Sequence, residues 1–263
     1  MKTLILLSIT SDIGKFLAHQ YVGRGWKVIG TYRQAKHLDD LRQLKNCLLI
    51  KCDVVNKSDI NRLALKLKSQ ALRWDRIISC VGDLLPAQPF FESDFEQWEA
   101  SIHVNALGQL RAVHALYAYR HNKTQVVFFA GGGVNKAVTD ITAYTASKIM
   151  LTKMVEYLDA ENKDMTFMII GPGWTKTKIH DAVLKTKGVA KSKLNQTRYD
   201  FKNKPSTSLM DIDACIDFLC SLPKQTVSGR NFSVVFDPWR KNANNLISKL
   251  NKDTGLFKLR RRE

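Results

Sequence analysis

The sequence predicts an α/β fold: one doubly wound parallel sheet with helices on both faces. Two observations predict it. Apolar runs of strand length alternate along the chain with segments whose apolar residues recur at helical spacing. Right-handed crossovers between such units wind a sheet both ways. In addition, the unusual residues fall just after the strands, at the edge where these sheets bind ligands. No internal repeat or Gly/Ser linker divides the 263 residues, so a single domain is expected.

The first strand is Thr3 to Ser8, followed by a polar turn and a helix over Ile13 to Val22. A strand that turns into a helix places backbone N–H groups and a helix N-terminus where a diphosphate can bind. Ser8, Thr10, Ser11, Asp12, Ile13 and Gly14 form that turn, with Thr10 and Ser11 able to add hydroxyl donors. Only Gly14 remains of a glycine-rich fingerprint, and Asp12 serves equally well as an N-cap. The second strand, Lys27 to Tyr32, ends at Arg33. NAD enzymes place an acid there for the ribose hydroxyls. A guanidinium suits a 2′-phosphate instead, so NADP is expected ahead of NAD, although a solvated arginine at a strand end is common. Asp53 and Val54 follow the third strand, Cys47 to Cys52; Asp53 can accept from an adenine amino group or cap a helix.

A helix over Ile60 to Leu72 leads to a fourth strand, Arg76 to Val81. Next come a long helix from Phe95 to Tyr119 and a fifth strand, Gln125 to Ala130. Tyr144-Thr145-Ala146-Ser147-Lys148 opens a helix over Ala143 to Glu161. The i, i+4 spacing puts tyrosine and lysine on one face, where an ammonium favours the phenolate and eases proton exchange with a carbonyl or alcohol. Met165 to Ile170 is the sixth strand, Ile212 to Leu222 a helix, and Phe232 to Phe236 the last strand. Between them, residues 174–206 lack clear periodicity and read as a long loop, with Trp174, Lys176, Lys178 and His180 as candidates to line it.

Bulk properties exclude other classes. No apolar run approaches a membrane span, and MKTLILLSIT leads into no cleavage site, so a cytoplasmic protein is expected. The five cysteines form no CxxC pair and read as small buried hydrophobes; no metal site is expected. The net charge of +17 is spread along the chain, apart from the tail Leu259-Arg260-Arg261-Arg262, with no nucleic-acid motif beside it. It suits an anionic small-molecule substrate or a phosphorylated cofactor, or it is a plain lysine bias.

The ordered set of motifs resembles the short-chain dehydrogenases/reductases over almost the whole chain. YTASK matches the family's YxxxK, Asn105 its helix-four asparagine, and Pro172, Gly173 and Thr177 its PGxxxT segment; Ser79-Cys80-Val81-Gly82 stands where NNAG is usual. The resemblance implies a Rossmann-type domain over 1–237, with a substrate lid at 174–206 and a basic C-terminal tail at 238–263. It implies Tyr144 as acid/base and Lys148 as the group that lowers its pKa and binds the nicotinamide ribose. Asn105 would hold a water in the proton relay. Cys80, Val81 and Gly82 would pass close to the cofactor, and Pro172, Gly173 and Thr177 would support its nicotinamide end. The two long helices would pair subunits into a dimer or tetramer.

One departure bears on chemistry. The family's catalytic serine stands thirteen residues before its tyrosine, and here that position is Gly131, inside Ala130-Gly131-Gly132-Gly133. A backbone N–H of the glycine run, Thr142, Asn135 or a substrate group can stand in, or catalysis is impaired. The glycine run and basic end resemble members acting in surface-sugar and lipopolysaccharide pathways. The expected reaction is hydride transfer between NADP(H) and a carbonyl/alcohol pair, on a sugar or nucleotide-sugar derivative. The alternatives are 3-oxoacyl carrier-protein reduction and a cofactor-binding protein without turnover.

Overall fold

The computed structural model describes residues 1–36, 38–134 and 136–261. The chain runs β1 (Thr3–Leu7), α1 (Asp12–Gly23), β2 (Lys27–Tyr32), α2 (Asp39–Arg42), β3 (Cys47–Lys51), α3 (Lys57–Ser69) and β4 (Trp74–Ser79). A short 3₁₀ turn at Phe90–Glu92 precedes α4 (Phe95–Ile102), a π turn (His103–Leu107), α5 (Gly108–Leu116) and a second 3₁₀ turn at Tyr117–Tyr119. β5 (Arg120–Phe129), α6 (Thr142–Glu161) and β6 (Thr166–Gly171) follow. The remainder is α7 (Lys178–Lys185), α8 (Lys191–Asn203), α9 (Leu209–Ser221), α10 (Lys224–Val227), β7 (Arg230–Ser233) and α11 (Ala243–Lys252).

The seven strands lie in the order β3-β2-β1-β4-β5-β6-β7, and every neighbouring pair is parallel. The order reverses between β1 and β4, which opens a crevice there at the carboxyl edge. Alternate residues of each strand feed opposite cores. Leu4 and Leu6 face α1, α9 and α11, whereas Ile5 and Leu7 face α3, α5 and α6. Burial on both faces explains why these strands read as continuous apolar runs.

The expected doubly wound sheet is the observed one, but four elements differ. The long helix is interrupted at the π turn, where side chains enter the backbone ladder. Gln109 Nε2 donates to the Asn105 carbonyl at 2.6 Å, and Asn105 Nδ2 donates to the Ser101 carbonyl at 3.0 Å. β5 begins at Arg120, five residues before its apolar stretch, because Arg120 pairs with Trp74 across a register shift. The last strand is Arg230–Ser233, and the chain turns away through Val234, Val235 and Phe236, the last 86% exposed. Residues 174–206 are not one loop: they carry α7 and α8. Beyond residue 238, α11 buries Leu246 and Leu250 in the core. Arg230 ties this segment down by donating to the Leu250, Asp253 and Leu256 carbonyls at 2.7, 3.0 and 2.7 Å. Arg262 of the basic end lies outside the described residues.

Candidate active site

The crevice begins at the turn after β1. Ser8 sits at φ 62°, a left-handed conformation that glycine holds without strain. Its amide donates to Thr31 Oγ1 at 3.0 Å. Ser11, not Asp12, caps α1, accepting from the Gly14 amide at 3.0 Å. A Cβ on Gly14 would lie 2.6 Å from the Ser8 carbonyl oxygen, so α1 can start this close to the strand only with glycine there. The amides of the first turn, at Asp12 and Ile13, have no intrahelical partner, as at any helix start. Ile13 also packs its side chain against the core.

A cleft of about 170 Å³ opens from this turn, lined among others by Ser8, Thr10, Thr31, Arg33, Asp53, Val54, Val81 and Gly82. The structure thus gathers residues from the ends of four strands. Arg33 is exposed and also lines an adjoining basin with Gln34, Lys36 and Lys51. Among the described residues no carboxylate lines that basin, so an anionic group meets the positive charge of Arg33, Lys36 and Lys51 there. Asp53 is not a helix cap; Asn56 caps α3, while Asp53 Oδ1 accepts from the Val55 amide at 3.2 Å. Asp12 turns out of the cleft: its Oδ2 accepts from the Lys178 amide at 2.7 Å. Thr31, Lys36 and Lys51 escaped the reading of the sequence, since exposed lysines beside strand ends carry no periodic signal.

Tyr144 and Lys148 stand on α6, beside the Val81 wall of this crevice. Lys148 is 2% exposed, and its ammonium donates to the Val81 carbonyl at 3.3 Å. The Nζ lies 5.6 Å from the centre of the Tyr144 ring. Burial lowers the Lys148 pKa to about 8. Burial also pushes Tyr144 up, to about 12. The apolar setting is the cause of that rise. That setting consists of Leu84, Ile141, Ile179 and Val183, packed around the phenol.

Gly131 touches this pair. A Cβ there would lie 2.7 Å from Tyr144 Cε1, 3.0 Å from Tyr144 Oη and 3.0 Å from Lys148 Cγ. The phenol thus occupies the space into which a serine would project. Of the expected stand-ins, Thr142 Oγ1 accepts from the Trp98 indole at 3.1 Å, and Asn135 lies outside the described residues. The Gly131, Gly132 and Gly133 amides make no hydrogen bond to another described residue.

The Asn105 side chain is used within the fold. Its Oδ1 accepts from the Asp83 amide at 2.9 Å, and its Nδ2 donates to the Asp83 and Ser101 carbonyls at 2.8 and 3.0 Å. It pins the loop after β4 to the π turn. Gln109, linked to Ser79 Oγ at 2.6 Å, extends this buried network into the sheet. Cys80 is half-buried, and burial pushes its thiol up to about 12 against the Ser11 hydroxyl and the Lys148 ammonium. Pro172, Gly173 and Thr177 follow β6 and do not line the cleft. Gly173 has φ 77°, and Thr177 is the N-cap of α7, its Oγ1 lying 3.4 Å from His180 Nδ1. His180 is half-buried between the Trp174 and Phe201 rings, at 5.8 and 6.3 Å. Among the described residues, no cluster of His, Cys, Asp or Glu is placed to hold a metal ion, and no helix is long and apolar enough to cross a membrane.

Comparison with known proteins places this geometry among relatives. Residues 9–235 match a family model described as enoyl-(acyl carrier protein) reductase. An uncharacterised oxidoreductase of Staphylococcus saprophyticus is 26% identical over 187 residues, covering 67% of this chain and 79% of that protein. An NADP-dependent 3-hydroxy acid dehydrogenase of Salmonella typhi is 27% identical over 114 residues, covering 43% of this chain and 46% of its own. A crystal structure of a short-chain dehydrogenase/reductase from Saccharomyces cerevisiae superposes with a TM-score of 0.79 at 19% identity, covering 90% of this chain and 97% of that one.

Proposed function

The chain belongs to the short-chain dehydrogenase/reductase family of oxidoreductases, and on that premise we propose that it reduces a carbonyl with NADPH, using Tyr144 as the proton donor. The observation that carries this reading is the contact set of Tyr144, Lys148 and Gly131, which adjoins the strand-end cleft through the bond from Lys148 to the Val81 carbonyl. The residues fit a dinucleotide. Lys148 is a buried cation with one carbonyl partner, so its remaining N–H donors suit ribose hydroxyls. The Ser8–Gly14 turn and the first amides of α1 suit a diphosphate. Arg33, Lys36 and Lys51 suit a 2′-phosphate. When bound, the nicotinamide ring supplies the hydride.

The protein's own part is proton transfer and orientation. With its pKa raised to about 12, Tyr144 holds its proton at neutral pH and can donate it from Oη to a carbonyl oxygen gaining negative charge. Lys148 places positive charge beside that oxygen's path, and the Gly131–Gly133 amides supply the donor that a serine hydroxyl would otherwise provide.

Of the two substrate readings, the apolar surroundings of Tyr144 support the acyl one. Leu84, Ile141, Ile179 and Val183 give Tyr144 apolar walls, which suit an alkyl or acyl ketone and leave sugar hydroxyls without partners. Self-association through α4 and α6 belongs to the same proposal, supported by the exposed rings of Phe91 and Phe95 beside α4.

Calorimetry of the two reduced cofactors tests the core of this reading. NADPH should bind at least tenfold more tightly than NADH, about 1.4 kcal/mol, and Arg33→Asp should reverse the order. Equal affinities in the unmutated protein would remove the phosphate assignment.

A further inference from the structure

The turn that opens α1 and the lid that covers Tyr144 are joined by one side chain. Asp12 Oδ2 accepts from the Lys178 amide at 2.7 Å, and Oδ1 lies 3.6 Å from the Lys178 ammonium. Lys178 is the first residue of α7, and the residue before it, Thr177, makes no side-chain cap bond. The orphaned amide that a helix start would leave is thus satisfied from a residue 166 positions earlier in the chain. α7 has only eight residues, too few to hold its shape alone in water. Its inner face sets Ile179 and Val183, four apart, into the apolar cluster that packs on Tyr144.

We propose that Asp12 is a positioning residue, a latch that holds α7 over Tyr144 by capping its N-terminus from the cofactor turn. The inference rests on the function proposed above only where it concerns the cofactor. Asp12 stands at the N-terminus of α1, an anion-binding position, and brings a negative charge to it. A diphosphate arriving there meets repulsion from the carboxylate and is attracted to the same Lys178 amide and ammonium. The latch therefore serves the lid at some expense to the cofactor, and the lid hears through Lys178 whether the turn is occupied.

Hydrogen exchange read by mass spectrometry on the full chain tests this without any substrate. Asp12→Ala should speed exchange of the α7 amides about fivefold, the effect expected for a lost N-cap, while peptides of α9 and β6 stay unchanged. Asp12→Asn keeps an oxygen that can accept from the Lys178 amide, and it should restore most of the protection. NADPH titrated into both variants should bind at least as tightly as to the unmutated protein. Unchanged α7 exchange in Asp12→Ala overturns the latch, as does identical fast exchange in the Ala and Asn variants. Weaker NADPH binding by Asp12→Asn overturns the repulsion part. If α7 responds as expected but no variant, and not the unmutated protein, binds NADPH, the latch stands and the cofactor assignment fails.

Discussion

Two buried cations are tied to the same strand, and they are provided for very differently. Arg76, within β4, is 7% exposed. Its Nε and Nη2 donate to Gln125 Oε1 at 2.9 and 2.6 Å, and its Nη1 donates to the Tyr21 hydroxyl. Asp217 lies 3.8 Å away, and the guanidinium sits 5.1 Å from the Trp26 ring centre. Lys148 reaches the chain just after β4, is 2% exposed, and has one carbonyl at 3.3 Å. Burying either charge is costly. At Arg76 the fold offsets that cost with its own partners; at Lys148 it leaves the cost standing. A cation left short of partners beside an acid is what a site waiting for a ligand looks like, whereas a fully partnered one is architecture.

The comparison breaks most plainly in turnover. Tyr144→Phe keeps the ring and removes the transferable proton, so NADPH oxidation across a panel of ketones and acyl thioesters should fall by about 10²–10⁴ with cofactor affinity nearly unchanged. Lys148→Met should damage both. Yet Lys148→Met should not lower the melting temperature, since it removes a charge whose burial is uncompensated. The pH dependence sharpens this. The folded pKa of Lys148, about 8, lies below its ordinary 10.5. The folded state therefore sheds the proton first, and stability rises as pH climbs from about 8 to 10.5. That rise should be absent in Lys148→Met.

Arg76→Met is the opposite case. It leaves the Gln125 side-chain oxygen and the Tyr21 hydroxyl without their buried donor, while Asp217 keeps Arg24 at 2.9 Å, and it should cost about 3 kcal/mol in urea unfolding while leaving cofactor affinity alone. If the two substitutions destabilise equally, the distinction between architecture and site is wrong.

Gly131→Ser comes next. The new Cβ would press on Tyr144 and Lys148, as the 2.7 and 3.0 Å approaches show. Overpacking of this kind costs about 1–3 kcal/mol. Turnover should fall about 10²-fold, the order expected for a displaced reacting group. A serine variant that turns over simple ketones faster than the unmutated protein would instead show a reductase that had lost its donor.

Much of this was legible in the sequence because parallel strands buried on both faces leave unbroken apolar runs, as Leu4 to Leu7 and Val126 to Phe129 do. Tyr144 and Lys148 were legible because their spacing is local. The lid helices were not: α8 is almost wholly polar and buries only Thr197 and Asp200, while α7 has two apolar anchors in eight residues. The end of the last strand misled for the reverse reason. Val234 to Phe236 look like strand, but β7 is anchored by Phe232 in the core and by Arg230, whose guanidinium serves the carbonyls of α11's end. The Asp12–Lys178 link was illegible because nothing in a sequence marks a contact between residues so far apart, and Asp12 reads locally as a cap for its own helix.

An ion pair at the surface sets the lower end of the scale. Arg260 donates to Glu156 Oε2 at 2.9 Å and also meets Oε1, and Lys153 meets Oε2 at 2.7 Å. Hydrogen bonds from Arg260, with Lys153 beside it, hold the Glu156 carboxyl at about 2 against an ordinary 4.5. The carboxylate is 18% exposed but its Arg260 partner is 46% exposed, so water and salt screen the attraction. Because the folded pKa is depressed, the stabilisation is fully present above about 4.5 and is lost as pH falls from there through about 2. Glu156→Gln keeps the shape and removes the charge. At neutral pH and low salt it should cost less than about 1 kcal/mol, and the cost should shrink in high salt. Thermal unfolding followed from pH 4.5 down to 2 should show the unmutated protein losing its advantage over Glu156→Gln within that window. A loss as large as that from Arg76→Met would mean that Arg260 fastens the C-terminal segment as firmly as Arg76 fastens the sheet, and that exposure is the wrong measure of how a charge pair contributes here.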